Sequence, residues 1–224
     1  MKIIGILGSP RNSGNTSLLL DAVMKGAQDA GAQVETVTVA GMNMHCCVAC
    51  GKCYATGNCI YEDDVTAVIA KMLEADGIVL ASPNYMLSVT AQLKTIMDRC
   101  SLHVHCFMLK DKYGAAVATA GGGMEEQVAQ YENSFLQLCG AQTIGTATAL
   151  GAGVGALVEQ DAAVAKATAL GLDLVAAISE KRQYPEQAEA HAAFFPHMEQ
   201  LVTAMAEKCP FQRQYWADRG WLSN

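Results

Sequence analysis

Five of the nine cysteines in this 224-residue chain fall between residues 46 and 59, and four of them, Cys47, Cys50, Cys53 and Cys59, are set as C-x2-C-x2-C-x5-C. Thiolates at so short a spacing can converge on an iron-sulfur cubane or on a zinc ion without distant chain segments having to meet; the third state open to them is free thiols. Cys46 directly precedes the run and could replace Cys47 only by widening the first interval to three residues. Cys47 is therefore the expected ligand. Disulfides are a poor fit for a chain whose N-terminus, Lys2-Ile3-Ile4-Gly5-Ile6-Leu7, reads as a strand and not as an export signal.

A second chemical feature lies upstream, in Gly8-Ser9-Pro10-Arg11-Asn12-Ser13-Gly14-Asn15-Thr16. A glycine-containing turn running into a helix offers free backbone amides and the positive end of the helix dipole, which together bind a phosphate. Ser9, Asn15, Thr16 and Ser17 add side-chain donors, and Arg11 adds a cationic fork suited to a doubly charged phosphomonoester. The segment has neither the G-K-[ST] of a P-loop nor a complete G-x-G-x-x-G, so a mononucleotide phosphate fits it better than ATP or a pyrophosphate. Helix capping by Ser13 and Asn15 is the competing role for the same residues.

The elements that must position these residues follow from apolar periodicity. Strand-like runs recur at 3–7, 34–39, 77–81, 115–120 and 143–148, with helical segments between them. That alternation predicts an α/β fold: a doubly wound, five-stranded parallel sheet covered by crossover helices. The first helix is expected over 16–30 with Gly31 as its left-handed cap. The second follows Asp63-Asp64, the third follows Ser88, the fourth covers 125–139, and an alanine-rich helix covers 156–178. Residues 1–183 form the expected domain. Residues 184–224 form a C-terminal extension with helical composition interrupted at Pro196 and with both tryptophans, Trp216 and Trp221, near its end. A disordered tail rarely concentrates aromatic residues so. The extension is expected to dock on a neighbouring subunit or on its own domain.

In a doubly wound sheet the ligand sits beyond the carboxyl ends of the strands, so the loops after the third and fourth strands belong with the first. Ser82-Pro83-Asn84-Tyr85-Met86 offers amides, an aromatic face and a sulfur to a flat heterocycle, and Thr119-Ala120-Gly121-Gly122-Gly123 lets the backbone approach a ring edge. Each loop taken alone is as well explained as a proline turn or a glycine hinge.

The composition narrows the partners. A net charge of −7 gains nothing from polyanions, which argues against nucleic acid and anionic membranes. With 51% hydrophobic and 17% charged residues the chain can bury a substantial core. Its apolar runs fall short of the ~20 residues that span a bilayer, so no transmembrane helix and a cytoplasmic location are expected. The string His103-x-His105-Cys106 lacks a fourth nearby ligand for a metal. Cys100, Cys139 and Cys209 read as small buried hydrophobes, Asp98 and Arg99 as a structural ion pair or a subunit contact, and Tyr85 as a stacking residue.

Gly8-Ser9-Pro10-Arg11 through Thr16, Pro83-Asn84-Tyr85-Met86, Lys94-x3-Asp98-Arg99 and Thr119-Ala120-Gly121-Gly122 together resemble the NADPH-dependent FMN reductase family of the flavodoxin-like superfamily, over roughly residues 1–180. The cysteine motif narrows the resemblance to the iron-sulfur flavoproteins. The resemblance implies FMN, its phosphate held by Ser9, Arg11, Asn15, Thr16 and Ser17 and its ring by Pro83, Asn84, Tyr85, Met86, Thr119, Ala120, Gly121 and Gly122. It implies a 4Fe-4S cluster on Cys47, Cys50, Cys53 and Cys59. It further implies a homo-oligomer, dimer or tetramer, in which the cluster of one subunit approaches the flavin of another. The expected activity is electron transfer between a low-potential donor, a ferredoxin or NAD(P)H, and a small acceptor such as a quinone, peroxide or dioxygen. Two other activities compete with it: a cluster-free NAD(P)H-dependent flavin or quinone reductase, and a zinc- or thiol-based redox sensor without flavin.

Overall fold

The computed structural model describes residues 1–223. β1 (Lys2–Leu7) enters the centre of the sheet and shows how the pattern builds two cores. Successive side chains of a strand point to opposite faces. Ile4 and Ile6 accordingly join one buried cluster, whereas Ile3 and Leu7 join another on the opposite face. β2 (Gln33–Thr38), β3 (Gly77–Pro83), β4 (Tyr113–Ala120) and β5 (Gln142–Gly153) pair in parallel in the order β2-β1-β3-β4-β5. β3 and β4 are covered on both faces and read as unbroken apolar runs, as central parallel strands must.

The sheet has six strands, not the expected five. β5 runs on past Thr148 to Gly153 and turns into β6 (Ala156–Leu157), which pairs antiparallel at the edge. The alanine-rich helix consequently starts at Gln160 and not at Ala156. An apolar, glycine-rich stretch carries no clear period, and here hydrogen bonding to β4 extends the strand through it.

One face of the sheet carries α1 (Asn15–Asp29) and α7 (Gln160–Glu180); the other carries α3 (Asp64–Glu74), α4 (Ala91–Arg99) and α6 (Glu125–Leu138). α1 ends two residues before the glycine expected to cap it: Gly31 adopts φ +93, and the Gly31 and Ala32 amides bond back to the carbonyls of Gln28 and Ala27. α7 is long and apolar enough to cross a membrane by length and composition. In this fold it lies against α1 at glycine contacts, since a Cβ on Gly171 would stand 1.9 Å from the Val23 carbonyl oxygen and one on Gly26 would stand 2.1 Å from that of Thr168.

The extension is helical and packs on its own chain. α8 (Pro185–Ala204) opens with a proline at its first turn and continues through Pro196, where the sequence had suggested an interruption. A proline inside a helix forfeits a backbone bond. Phe194 and Phe195 before it and Met198 and Val202 after it are anchored in one aromatic cluster, which holds the helix together across the break. α9 (Pro210–Ala217) adds Trp216, fully buried, whose indole N–H donates to the His105 carbonyl at 2.9 Å. The same cluster takes in Leu102, Cys106 and Phe107 from α5 (Ser101–His105) and the turn after it, and touches Cys53 and Tyr54 of α2 (Lys52–Thr56).

Candidate functional site

At the carboxyl ends of the strands one crevice of about 230 Å³ is lined by Ser9, Arg11, Gly14, Asn15 and Thr16, by Pro83, Asn84 and Tyr85, and by Thr119, Ala120 and Gly121. Three loops far apart in sequence thus meet at one place. Gly8 sits where a Cβ would strike the Ala81 carbonyl and the Leu93 side chain, both at 2.9 Å, so the first loop can lie this close to β3 and α4 only with glycine there. The Thr90 hydroxyl, which caps α4 by accepting from the Leu93 amide at 3.2 Å, also donates to the Gly8 carbonyl at 2.5 Å. Thr16 and Thr119 share a buried hydroxyl hydrogen bond of 2.6 Å.

The electrostatics of the crevice favour an anion. α1 begins here with no acidic residue in its first turn, leaving its first amides without intrahelical partners. Asn15 donates its amide to the Gly153 carbonyl at 2.9 Å and Asn84 donates to the Gly123 carbonyl at 2.8 Å; the Oδ1 of each is buried without a partner. Buried polar atoms are seldom left so, and two orphaned acceptors in one crevice fit a polar ligand.

Of the sequence-predicted residues, Ser17 has other work. Its hydroxyl accepts from the Gly14 amide at 2.8 Å and donates to the Gly14 carbonyl at 2.9 Å, which leaves its backbone amide, not its side chain, for an anion. Met86 does not line the crevice. It projects into solvent at 95% exposure beside Leu87, both with left-handed backbone, at the tip of the loop. Gly122 also lies outside the lining, whereas Gly153, Val154 and Gly155 from the β5–β6 turn belong to it. The sequence reading missed that turn, although the glycines at 151, 153 and 155 were the signal for it.

A second cavity, about 350 Å³, is lined by all four cysteines of the motif, Cys47, Cys50, Cys53 and Cys59, with Tyr54, Tyr61, Asp98, Arg99 and Ser101. Cys46 is absent from its wall; the Cys46 sulfur lies 3.8 Å from the Thr95 hydroxyl. Gly51 and Gly57, both left-handed at φ +71 and +81, bracket α2 and turn Cys53 toward the other three. Burial pushes the Cys53 thiol up, and the charges of Cys59, Cys47 and Cys50 add to the shift, so the four sulfurs are electrostatic neighbours. Among the described residues no three His, Cys, Asp or Glu side chains stand close enough to hold a single metal ion. Four cysteine thiols on one wall are the donor type that both a cubane and a tetrahedral zinc ion take.

The supports of this loop are buried. Arg99, 1% exposed at its side chain, donates to both Asp63 oxygens at 2.9 and 3.1 Å and to the carbonyls of His45 at 2.9 Å and Tyr61 at 3.3 Å. Burial alone would push the Asp63 carboxyl up; the Arg99 and His45 hydrogen bonds override it and hold it well below the usual carboxylate range. Arg99 therefore pairs with Asp63, and Asp98 pairs with Lys94, so the two adjacent residues are not an ion pair with each other. Tyr54 stacks on His105 with ring centroids 4.5 Å apart and hydrogen-bonds the Ser101 hydroxyl. Burial lowers His105, and it lowers His103 to about 4. Cys106 is buried with its thiol raised to about 12, which leaves the His103–Cys106 string a packing element. Cys100, Cys139 and Cys209 are buried and free.

Residues 1–155 match the protein family described as NADPH-dependent FMN reductase. Over 223 residues the chain is 34% identical to an iron-sulfur flavoprotein of Archaeoglobus fulgidus, covering 99% of this chain and 100% of the relative. The chain belongs to the iron-sulfur flavoproteins of the NADPH-dependent FMN reductase family. It is a flavin-dependent oxidoreductase. Among solved structures a flavone reductase superposes with a TM-score of 0.65 at 22% identity, over 82% of this chain and 66% of that one. A flavodoxin from the domain Archaea superposes with a TM-score of 0.55 at 15% identity, over 80% of this chain and 99% of that one. Both likenesses concern the fold alone and agree with the flavodoxin-like strand order.

Proposed function

We propose that this FMN reductase family member is a two-centre electron-transfer protein: FMN in the crevice at the carboxyl ends of the strands, and a 4Fe-4S cluster on Cys47, Cys50, Cys53 and Cys59. The observation that supports this reading is that all four motif cysteines line one cavity. The flavin supplies two-electron or hydride chemistry and the cluster supplies one-electron steps. A low-potential donor, a ferredoxin or NAD(P)H, delivers electrons, and a small acceptor such as a quinone, peroxide or dioxygen removes them.

The protein's own part is positional. The α1 amides, Arg11, Ser9 and Thr16 hold the phosphate end; Asn15 and Asn84 present unpartnered carbonyl oxygens; Pro83, Tyr85, Thr119, Ala120 and Gly121 border the ring. The exposed Met86 and Leu87 at the crevice rim suit contact with a second copy of the chain, which supports a homo-oligomeric arrangement bringing one subunit's cysteine cavity toward another's flavin. Protein purified without air tests the whole reading. Flavin bands overlaid by broad absorbance, with about four irons per chain, are expected. Iron that is absent after anaerobic reconstitution removes the cluster, and a colourless protein that takes up no FMN removes the flavin.

A further inference from the structure

We propose that Arg99 is the fixed cation of the cysteine cavity, pinning the two ends of the cysteine loop and raising the reduction potential of the cluster held there. The inference rests on the cluster proposed above. Its geometrical basis is independent of it: the guanidinium bonds the carbonyls of His45, directly before the cysteines, and of Tyr61, two residues after the last of them, and lies 5.3 Å from the centre of the Tyr61 ring. The His45 and Tyr61 rings themselves stack at 4.6 Å, so the loop is closed at its neck and Arg99 is the clasp.

The same side chain forms part of the cavity wall. Among the described lining residues only Arg99 and Asp98 are charged, and Asp98 is engaged by Lys94. Asp63, the partner of Arg99, is not part of the wall, so the pair turns its cationic end to the cavity. The Arg99 Nε is buried without a partner, and Cys59 lines the same cavity. Reduction of a cluster adds one negative charge, and a desolvated cation beside it favours the reduced form; hydrogen bonds and charge around the sulfurs set potentials in the same way. The sequence marks Arg99 only as a partner for its neighbour Asp98, because its true carboxylate partner is 36 residues away.

The test compares full-length wild type, Arg99→Gln and Arg99→Lys after anaerobic reconstitution, reading iron and FMN content and the cluster midpoint by redox titration with electron paramagnetic resonance. The expected result is a lowered midpoint in Arg99→Gln and a midpoint near wild type in Arg99→Lys, which keeps the charge and loses the fork. Arg99→Gln with full iron and an unchanged midpoint overturns the proposal and leaves the cluster reading standing. If Arg99→Gln keeps FMN but takes up no iron, Arg99→Lys decides: loading with a wild-type midpoint supports the proposal, and the same loss of iron overturns the role of the charge. Wild-type protein without iron fails the cluster reading itself, and the inference falls with it.

Discussion

Thr16 and Thr119, 103 residues apart, share a buried hydroxyl hydrogen bond of 2.6 Å that ties the phosphate loop to the loop after β4. This bond makes one site out of two loops. Thr119→Val keeps the shape, removes the hydroxyl and leaves Thr16 unpartnered, at a cost of about 1–3 kcal/mol. FMN affinity of the flavin-free protein is expected to fall about tenfold, measured by fluorescence quenching on titration with FMN. Unchanged affinity would mean that the loops are held in place by other contacts.

Arg11 is exposed at the mouth of the crevice and is expected to act on the phosphate alone. Arg11→Ala removes a charge-assisted bond, so FMN binding weakens about tenfold while riboflavin, which has no phosphate, binds as before. An equal loss for both ligands would place Arg11 at the ring or in the fold.

Two acids give stability opposite dependences on pH. The folded-state value of Asp63 is depressed, so its contribution is full above the unfolded value near 3.9 and is lost as pH falls through the range below it. Glu132 is fully buried on α6 with neither oxygen partnered, and burial pushes it well up. An acid raised by burial takes up its proton at a higher pH in the fold than in the unfolded chain, so its stability contribution is present below the unfolded value near 4.3 and lost as pH rises. Glu132→Gln is therefore expected to match wild type at pH 4 and to exceed it at pH 8 in urea denaturation, whereas Asp63→Asn loses stability at pH 7 and converges on wild type in acid. Curves for Glu132→Gln and wild type that run parallel across this range would show that Glu132 stays ionised in the fold.

How much of this could be read from the chain depends on how local the cause is. β1, α1 and the turn at Gly31 are written in adjacent residues, through strand alternation, helical period and a left-handed glycine. That the loops after β1, β3 and β4 meet at one crevice is legible because strand ends dictate where a doubly wound fold binds, whereas the places of Met86 and Gly122 outside its lining are not. β5 was cut short since 147–157 is apolar and glycine-rich, with no period to separate strand from helix. The β5–β6 turn, with Gly153, Val154 and Gly155, was lost from the site for the same reason. Arg99 was misread because its neighbour Asp98 offered a nearer partner than Asp63, and only the folded chain ranks the two. The path of α8 through Pro196 depends on aromatic contacts with Phe107 and Trp216, which no local signal encodes.

The extension's work is tested where it meets the cysteine loop. Gly57 adopts φ +81 and would, with a Cβ, stand 2.6 Å from the Phe211 ring of the extension, while Trp216 is fully buried against the chain segment that carries Cys106 and Phe107. Phe211 and Trp216 thus brace α2, and with it Cys53, from outside the flavin domain. Trp216→Ala leaves a cavity that costs about 3–5 kcal/mol. Because no residue of this cluster lines the crevice, FMN content is expected to hold while reconstituted iron per chain falls, and the urea midpoint drops in parallel. Iron content equal to wild type in a destabilised Trp216→Ala protein would show that the cysteine loop keeps its shape without the brace, and would leave the extension a stabilising cover alone.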